Sequence, residues 1–329
     1  MFSYRTILGS AWTITKQHKK LWIFGFLAFL LSAGGEYQIL TKILNEDYGA
    51  SVYDQVQSGS ILLSSSFWSN LYQVCYTQPR VGLGLVLLIV LLLGIAFTLL
   101  WVCIKSQIAL VKWTKNFLNS KNKAKNISVW AEISSNDKRF WTVLGLNIVF
   151  KILITTLFFF LSLPLIFLYF KDSNFAILIY TIFFVIFLPL AISMSLIIKY
   201  SIAGVILEKQ SFVVASESGY RLFCKNWLVS LEMAILLFLI NFLTSLLAIF
   251  VLSVVLLPII LTLIIFNLMV PLYLTIAVSF LIIIVTAAIL MTFQTATWTI
   301  LFLELKGNGV KAKLERIFDK KIKNRKTKK

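Results

Sequence analysis

Long apolar runs are the feature that most constrains what this chain can fold into. One of them, Val81 to Ile104, holds 24 residues without a charged side chain. About 20 helical residues, each rising ~1.5 Å, cross the ~30 Å hydrocarbon core of a bilayer. Backbone groups in hydrocarbon must pair within their own segment, and no series of short alternating strands suggests a barrel. The sequence therefore predicts an all-α, polytopic integral membrane protein.

Composition supports an integral membrane protein, and the sequence lacks the motifs of several kinds of enzyme and metal site. The 329 residues are 59% hydrophobic and 13% charged, whereas soluble domains are about 45–50% apolar and about 25% charged. Cys75, Cys103, Cys224 and the single histidine, His18, show no metal-ligand spacing. Phosphate-binding loops and hydrolase or zinc-protease motifs are also missing from the sequence. We therefore expect a protein that is not an enzyme and has no cofactor.

Six spans account for the apolar runs. We place them at about 20–41, 81–104, 140–170, 175–198, 228–257 and 272–303. Pro189 is predicted to break the fourth span, and Pro258 to Pro271 to form an uncharged turn region. Between the first two spans, residues 42–80 contain aromatic side chains that favour a segment at the membrane surface.

The distribution of positive charge gives the orientation. With the N-terminus inside, 27 of the 31 lysine and arginine residues lie on the cytoplasmic side, Lys42, Arg80 and Lys171 lie outside, and Lys151 lies within a span. Positively charged loops resist translocation, so both termini are predicted to be cytoplasmic. We expect the membrane to be the plasma membrane of a prokaryote.

A threefold repeat is predicted from the segments before the odd-numbered spans. Within residues 2–18, one stripe carries Tyr4, Leu8, Ala11 and Thr15, with Ile7 and Trp12 beside it, which is typical of an amphipathic surface helix. Alanine precedes tryptophan by 11, 10 and 12 residues in three places, namely Ala11–Trp22, Ala131–Trp141 and Ala215–Trp227.

Each of these segments is followed by two spans. We therefore predict three repeats of an amphipathic helix plus a transmembrane hairpin, at about 1–118, 119–209 and 210–305 within one domain (1–305), and a basic amphipathic cytoplasmic tail at 306–329. The alternative is that any helix starting at the cytoplasmic surface shows basic residues and then tryptophan. That alternative leaves the preceding amphipathic helices unexplained.

Membrane lipids are the expected partners. Anionic headgroups of the inner leaflet attract lysine and arginine at about 1 kcal/mol each. The predicted lipid contacts are Lys19, Lys20, Lys138, Arg139, Arg221, Lys225, Lys320 and Lys321. Nucleic-acid binding by the basic tail is the alternative, but the tail lacks the interleaved aromatic residues of a stacking platform.

A candidate intramembrane polar site consists of Lys151, Glu232, Asn147 and Gln294. Polar groups at membrane depth are costly and often functional. From their depths, we predict that Lys151 lies near Gln294 and Glu232 near Asn147. This seam either binds an anionic headgroup or solute, or holds the helices together by hydrogen bonds while the charged groups snorkel to water.

The segment from Ser201 to Glu232 resembles a known bacterial membrane domain. Glu208 closes a span, Ala215 to Arg221 form an amphipathic stretch, and Lys225 to Trp227 lead into the next span. In this order they are similar to the membrane domain associated with glycerophosphoryl diester phosphodiesterases and to related uncharacterised bacterial six-span proteins. The catalytic domain of those phosphodiesterases has no counterpart in this sequence, so the resemblance implies a fold but no activity.

Taken together, these features predict a lipid-associated envelope or scaffold component. The alternative is a small transporter or lipid-moving protein that uses the region of Lys151.

Overall fold

The computed structural model describes residues 4–32, 69, 72–73, 76–77, 79–119, 139–170, 174–266 and 268–307. These residues are almost entirely helical, with no strand among them. The eight longer helices are α1 (Tyr4–Gln17), α2 (Leu21–Ser32), α3 (Pro79–Asn119), α4 (Phe140–Phe170), α5 (Asn174–Glu208), α6 (Phe212–Lys225), α7 (Trp227–Ile265) and α8 (Met269–Gly307).

Five helices contain stretches long and apolar enough to cross a membrane. These stretches are Pro79–Asn119, Phe140–Leu157, Val185–Glu208, Trp227–Ile265 and Val270–Gly307. The described residues thereby confirm the all-helical prediction, and their long apolar helices suggest a protein embedded in a membrane. The predicted first span begins with α2, which is apolar but short, and its remainder at 33–41 lies outside the described residues.

The chain divides into two compact units. The first consists of Met1–Leu31, Cys103–Leu153 and Pro189–Lys329, and the second of Ser32–Val102 and Ile154–Leu188. In the second unit the described side chains are mostly exposed and apolar, as expected of helices that face lipid. The first unit holds the buried core and nearly all of the described polar contacts between helices.

The core of the first unit is built on α3, α5 and α8, which we name the returning helices. On α5 every residue from Tyr200 to Ile206 is buried, and on α8 every residue from Ala296 to Phe302. Seven consecutive residues make about two turns and cover all faces of a helix. Helices α5 and α8 are therefore surrounded by other helices over these stretches.

The other long helices, α2, α4 and α7, are named the leading helices. Helices α4 and α7 each contact the returning helix that comes before them in the chain, namely α3 and α5. Helix α2 comes before all of the returning helices and contacts the last one, α8. On α2, a Cβ at Gly25 would lie 2.1 Å from Oγ1 of Thr292 and 2.3 Å from the carbonyl oxygen of Ala288 on α8. On α4, Asn147 donates to Gln107 of α3 at 3.1 Å. The α7–α5 contact is the hydrogen bond between Ser230 and Tyr200, at 2.7 Å.

The short helices α1 and α6 contact these longer ones. Helix α1 contacts α7 through Tyr4 and Glu232, and α8 through an edge-to-face contact between Trp12 and Phe293. Helix α6 contacts α4, where a Cβ at Gly145 would lie 3.7 Å from Phe212. It also contacts α5, where a Cβ at Gly219 would lie 2.3 Å from Oγ of Ser201.

The buried stripe of α1 differs in part from the predicted one. Tyr4, Ile7, Ala11, Ile14 and Thr15 are buried. Leu8 is only half-buried and Trp12 is 53% exposed, so the buried face is rotated towards Ile14. The rotation follows from contact with two helices instead of a flat lipid surface.

Two predictions about proline were wrong. Helix α5 continues through Pro189, and α7 continues through Pro258 to Ile265, so only Phe266 to Leu268 connect α7 to α8. Proline removes only the backbone hydrogen bond to the carbonyl four residues earlier, here that of Val185 or Val254, and membrane helices tolerate this loss. Ser193 and Thr262 donate to the carbonyl oxygens of Pro189 and Pro258, respectively.

Candidate functional site

The predicted intramembrane site is distributed over two pairs of helices. The hydroxyl of Tyr4 donates to Oε2 of Glu232 at 2.5 Å, which ties the start of α1 to α7. Asn147 donates through Nδ2 to Oε1 of Gln107 and to the carbonyl oxygen of Val143, which ties α4 to α3. Glu232 and Asn147 therefore each serve a helix contact of their own.

The other two predicted residues differ in exposure. Lys151 is exposed on α4, whereas Gln294 is half-buried on α8. An exposed lysine at this depth can reach the membrane surface with its long side chain. The direct contacts predicted between Lys151 and Gln294, and between Glu232 and Asn147, stay predictions.

A second group of polar residues, which the sequence analysis missed, lies within the buried core. Ser230 donates to the carbonyl oxygen of Asn226 at 2.9 Å, so its single hydroxyl proton is used. The Tyr200 hydroxyl must therefore be the donor in its 2.7 Å hydrogen bond with Ser230. This bond joins α5 to α7 within a buried environment.

Two lysines of this core lie over aromatic rings. Lys105 is only 6% exposed, and its Nζ is 6.0 Å from the ring centroid of Phe140. Lys199 Nζ is 5.2 Å from the ring centroid of Trp298. These distances suit cation–π attraction. Each lysine is followed three residues later by the dipeptide Ile-Ala, a shared pattern by which the sequence could have revealed them.

Among the described residues, a group of charges surrounds the last turn of α5. Arg139 donates through Nη1 to the carbonyl oxygen of Ile206. Lys115 donates through Nζ to the carbonyl oxygen of Leu207 at 3.2 Å. Lys306 pairs with the carboxylate of Glu208. Cations from α3, from the residue before α4 and from α8 therefore meet at the C-terminus of α5, which carries the negative end of the helix dipole.

Hydrogen bonds also connect this helix end to α6. Gln210 donates to Oε2 of Glu208 at 2.8 Å and accepts from Ser218 of α6 at 2.7 Å. Between Glu208 and Gln210, Lys209 has φ of 60°, a left-handed conformation that glycine normally adopts after a helix. A residue with a Cβ pays about 1–2 kcal/mol for this conformation.

The predicted lipid contacts lie mainly on the outside of the first unit. Lys19, Lys20 and Lys225 are exposed, and Arg221 is exposed while paired with Glu217 at 2.5 Å. Arg139 is directed instead to the end of α5, as described above. The remaining three predicted contacts, Lys138, Lys320 and Lys321, lie outside the described residues.

Helix α6 also exposes large apolar side chains beside these cations. Val213 is 71% and Tyr220 57% exposed, and Trp227 at the start of α7 is 55% exposed. A hydrogen bond with Cys224 raises the pKa of the Tyr220 phenol above its usual value. A phenol is neutral at pH 7 even at its usual pKa, so Tyr220 adds no negative charge to this basic surface.

Among the described residues, no group of three or more histidine, cysteine, aspartate or glutamate side chains could hold a metal ion. Cys103 is buried and Cys224 is exposed, and both are free thiols.

The chain was compared with known protein families, curated proteins and solved structures. No protein family, curated protein or solved structure matches the chain. The resemblance to the phosphodiesterase-associated membrane domain therefore stays a prediction from the sequence.

Proposed function

We propose that this chain is a non-enzymatic, lipid-associated scaffold component of a prokaryotic plasma membrane. In this proposal it crosses the bilayer six times, as three repeats of a surface helix and a hairpin, and keeps both termini in the cytoplasm. The observation that carries the proposal is the exposed surface of α1, of the turn at Lys19 and Lys20 that follows it, and of α6, on which basic side chains lie beside large apolar ones.

The cyclic contacts support three repeats. In each case a leading helix meets the returning helix of the preceding hairpin, through Gly25 with Thr292, Asn147 with Gln107, and Ser230 with Tyr200. The surface helices follow the same order, since α6 lies on α4 and α5, and α1 lies on α7 and α8. The first repeat would thus contact the last one and close a ring of three.

The charge distribution supports the orientation. The cations of α1, α6 and the last turn of α5 belong to the same unit, and the sequence places them on the cytoplasmic side. Lysine and arginine at that surface are attracted to anionic lipids, while tryptophan and tyrosine favour the interface. Trp12, Trp141 and Trp227 are all more than half exposed, which suits this position.

The polar contacts within the first unit favour a scaffold over a transporter. Glu232, Asn147 and Tyr200 each bond to a side chain of another helix. Such bonds hold a bundle in one arrangement. Lys151, the residue on which the transporter alternative depends, is exposed on the outside of α4.

The test is a measurement of lipid retained by the purified full-length protein. Replacing Lys19, Lys20 and Lys225 with glutamine is expected to lower the phosphatidylglycerol that remains bound, measured by native mass spectrometry after detergent exchange. Arg80→Gln is the matched control, because Arg80 is exposed but is predicted to lie on the opposite side of the membrane. Equal retention by the triple variant and wild type would contradict the proposal.

The transporter alternative is tested in vesicles. Lys151→Gln and Glu232→Gln are expected to leave lipid scrambling and solute flux in vesicles at the level of protein-free controls, as does the wild type. Flux that depends on wild-type Lys151 would favour the alternative.

A further inference from the structure

We propose that the exposed face of α4 around Lys151 binds a transmembrane helix of another protein, and that this helix carries an aspartate or glutamate at the depth of Lys151. The face consists of Lys151 and its exposed apolar neighbours Ile148, Val149, Ile152 and Leu153. The inference goes beyond the proposed lipid association, because it gives the scaffold a protein partner and uses none of the residues of α1 and α6.

The depth of Lys151 is the first argument. It lies ten residues after Trp141 on α4, which is about 15 Å along a helix and close to the middle of a ~30 Å hydrocarbon core. Trp141 itself is 68% exposed, which suits the level of the lipid headgroups. A cation near the middle of the bilayer is costly, so its surroundings must compensate for it.

The direction of Lys151 is the second argument. Ionisable residues within spans almost always face the interior of a bundle or a water-filled cavity and are paired there. Lys151 faces outward, its four apolar neighbours are 43% to 60% exposed, and it forms no ion pair with any residue that the structure describes. The buried residues of α4 are Phe140, Val143 and Leu146. Another chain therefore completes the bundle interior that Lys151 requires.

Helix α7 shows how the same unit treats a charged group that it pairs internally. Glu232 lies five residues after Trp227 and is half-buried. It accepts the hydrogen bond of the Tyr4 hydroxyl at 2.5 Å, and the next residue, Met233, is fully buried. The outward position of Lys151 is therefore a particular feature of α4.

Snorkelling to lipid phosphates is the competing explanation for Lys151. It requires the long side chain to stay extended towards the membrane surface, which restricts its rotamers. A carboxylate at the same depth pairs with the ammonium without this restriction. The exposed apolar side chains around Lys151 then pack against the helix that carries the carboxylate. Charge complementarity therefore favours an acidic transmembrane helix.

A second copy of this chain is a poorer partner. The carboxylates on the described long helices are those of Glu208, Glu232 and Glu304. Glu208 ends α5 and Glu304 lies in the last turn of α8, so neither is at the depth of Lys151. Glu232 is bonded to Tyr4. We therefore assign the face to a different protein.

The experiment uses the full-length protein in vesicles of zwitterionic phosphatidylcholine, with synthetic transmembrane peptides as probes. One peptide is a leucine–alanine helix of about 20 residues with a central glutamate, and the matched peptide has leucine at that position. Binding is measured by energy transfer between labelled protein and labelled peptide. The glutamate peptide is expected to bind about tenfold more tightly, an effect that polar contacts between model transmembrane helices reach. Equal binding of the two peptides would overturn the proposal.

Variants of Lys151 test whether the charge is responsible. Lys151→Met, which removes the charge from a side chain of similar length, should bind both peptides equally. Lys151→Glu should prefer a peptide with a central lysine, a reversal that a structural role does not predict. Lys16→Met is the control, because Lys16 is exposed on α1 outside the spans, and it should keep the wild-type preference. Thermal unfolding checks that each variant is folded, and a preference for glutamate that persists in folded Lys151→Met would overturn the site.

Two further measurements separate this proposal from its neighbours. Energy transfer between two labelled copies of the protein that disappears in Lys151→Met would overturn the assignment to a different protein. The triple variant of Lys19, Lys20 and Lys225 should bind the glutamate peptide like the wild type. If that variant also retains phosphatidylglycerol normally, only the lipid association is wrong, whereas lost lipid together with equal binding of both peptides by the wild type leaves only the site at Lys151 wrong.

Discussion

Two stretches of α5 show how differently similar apolar sequences behave in this protein. Between Val185 and Leu190, which fall on both sides of the boundary between the two units, most side chains are exposed and are valine, isoleucine, leucine and proline. Between Tyr200 and Ile206, in the first unit, every residue is buried, and serine, alanine and glycine occur among the larger residues. Both stretches are predominantly apolar, so hydropathy alone does not separate them.

The difference lies in what each stretch contacts. Lipid tails are as apolar as leucine, so burial in protein brings little hydrophobic gain within a bilayer. Close approach and hydrogen bonds between helices must provide the specificity. Small and polar residues therefore mark the packed stretch, and bulky aliphatic residues mark the exposed one. Substitutions that add bulk should therefore destabilise the packed stretches more than the exposed ones.

The largest effect is expected at the close helix contacts. Gly25→Leu would place a side chain where even a Cβ lies 2.1 Å from Thr292 and 2.3 Å from a backbone oxygen of α8. We expect a loss of about 3 kcal/mol in the free energy of unfolding, at the upper end of typical overpacking. The measurement is thermal unfolding followed by size-exclusion chromatography.

The matched control for this substitution is in the second unit. Gly84→Leu introduces the same side chain into α3, where a Cβ has no other atom within 4 Å. We expect wild-type stability for this variant. Equal destabilisation by Gly25→Leu and Gly84→Leu would show that the two units do not differ in the way described.

A smaller effect of opposite sign is expected at Lys209. Lys209→Gly relieves the left-handed strain, and part of the gain is offset because glycine is more flexible in the unfolded chain. We expect a net stabilisation of about 0.5–1 kcal/mol. Lys209→Arg keeps the strain and should leave the stability unchanged. A Lys209→Gly variant no more stable than the wild type would show that the turn after α5 is not strained.

The difference between exposed and packed stretches also explains which features of the fold the sequence could predict. Helical class, the apolar runs and the amphipathic character of α1 follow from periodicity and composition, which act locally along the chain. The buried stripe of α1 was predicted only in part, because Ile14 is buried by contact with other helices. Pro189 and Pro258 were misread because a proline costs a helix only one backbone hydrogen bond, a loss that long membrane helices tolerate.

The candidate site required information that a single sequence does not contain. Glu232 and Asn147 could be recognised as polar residues at membrane depth, but their partners Tyr4 and Gln107 are 228 and 40 residues away in the chain. Arg139 was selected as a cation that contacts lipid at the membrane surface, which stays a prediction. Its bond to the carbonyl oxygen of Ile206 depends on which helices are neighbours, and charge counting cannot determine that.

The smallest of these effects concerns the hydrogen bond between Tyr200 and Ser230. Within membranes, such interhelical bonds contribute about 0.6 kcal/mol on average, because the separated helices also find other partners. A double-mutant cycle with Tyr200→Phe and Ser230→Ala should give a coupling energy of this size. The control is Ser279→Ala, whose hydroxyl bonds to Thr275 of its own helix at 2.8 Å. Its coupling to Tyr200→Phe should be zero, because it removes no contact between helices. A Tyr200–Ser230 coupling equally close to zero would mean that shape alone, without this hydrogen bond, determines how α5 and α7 meet.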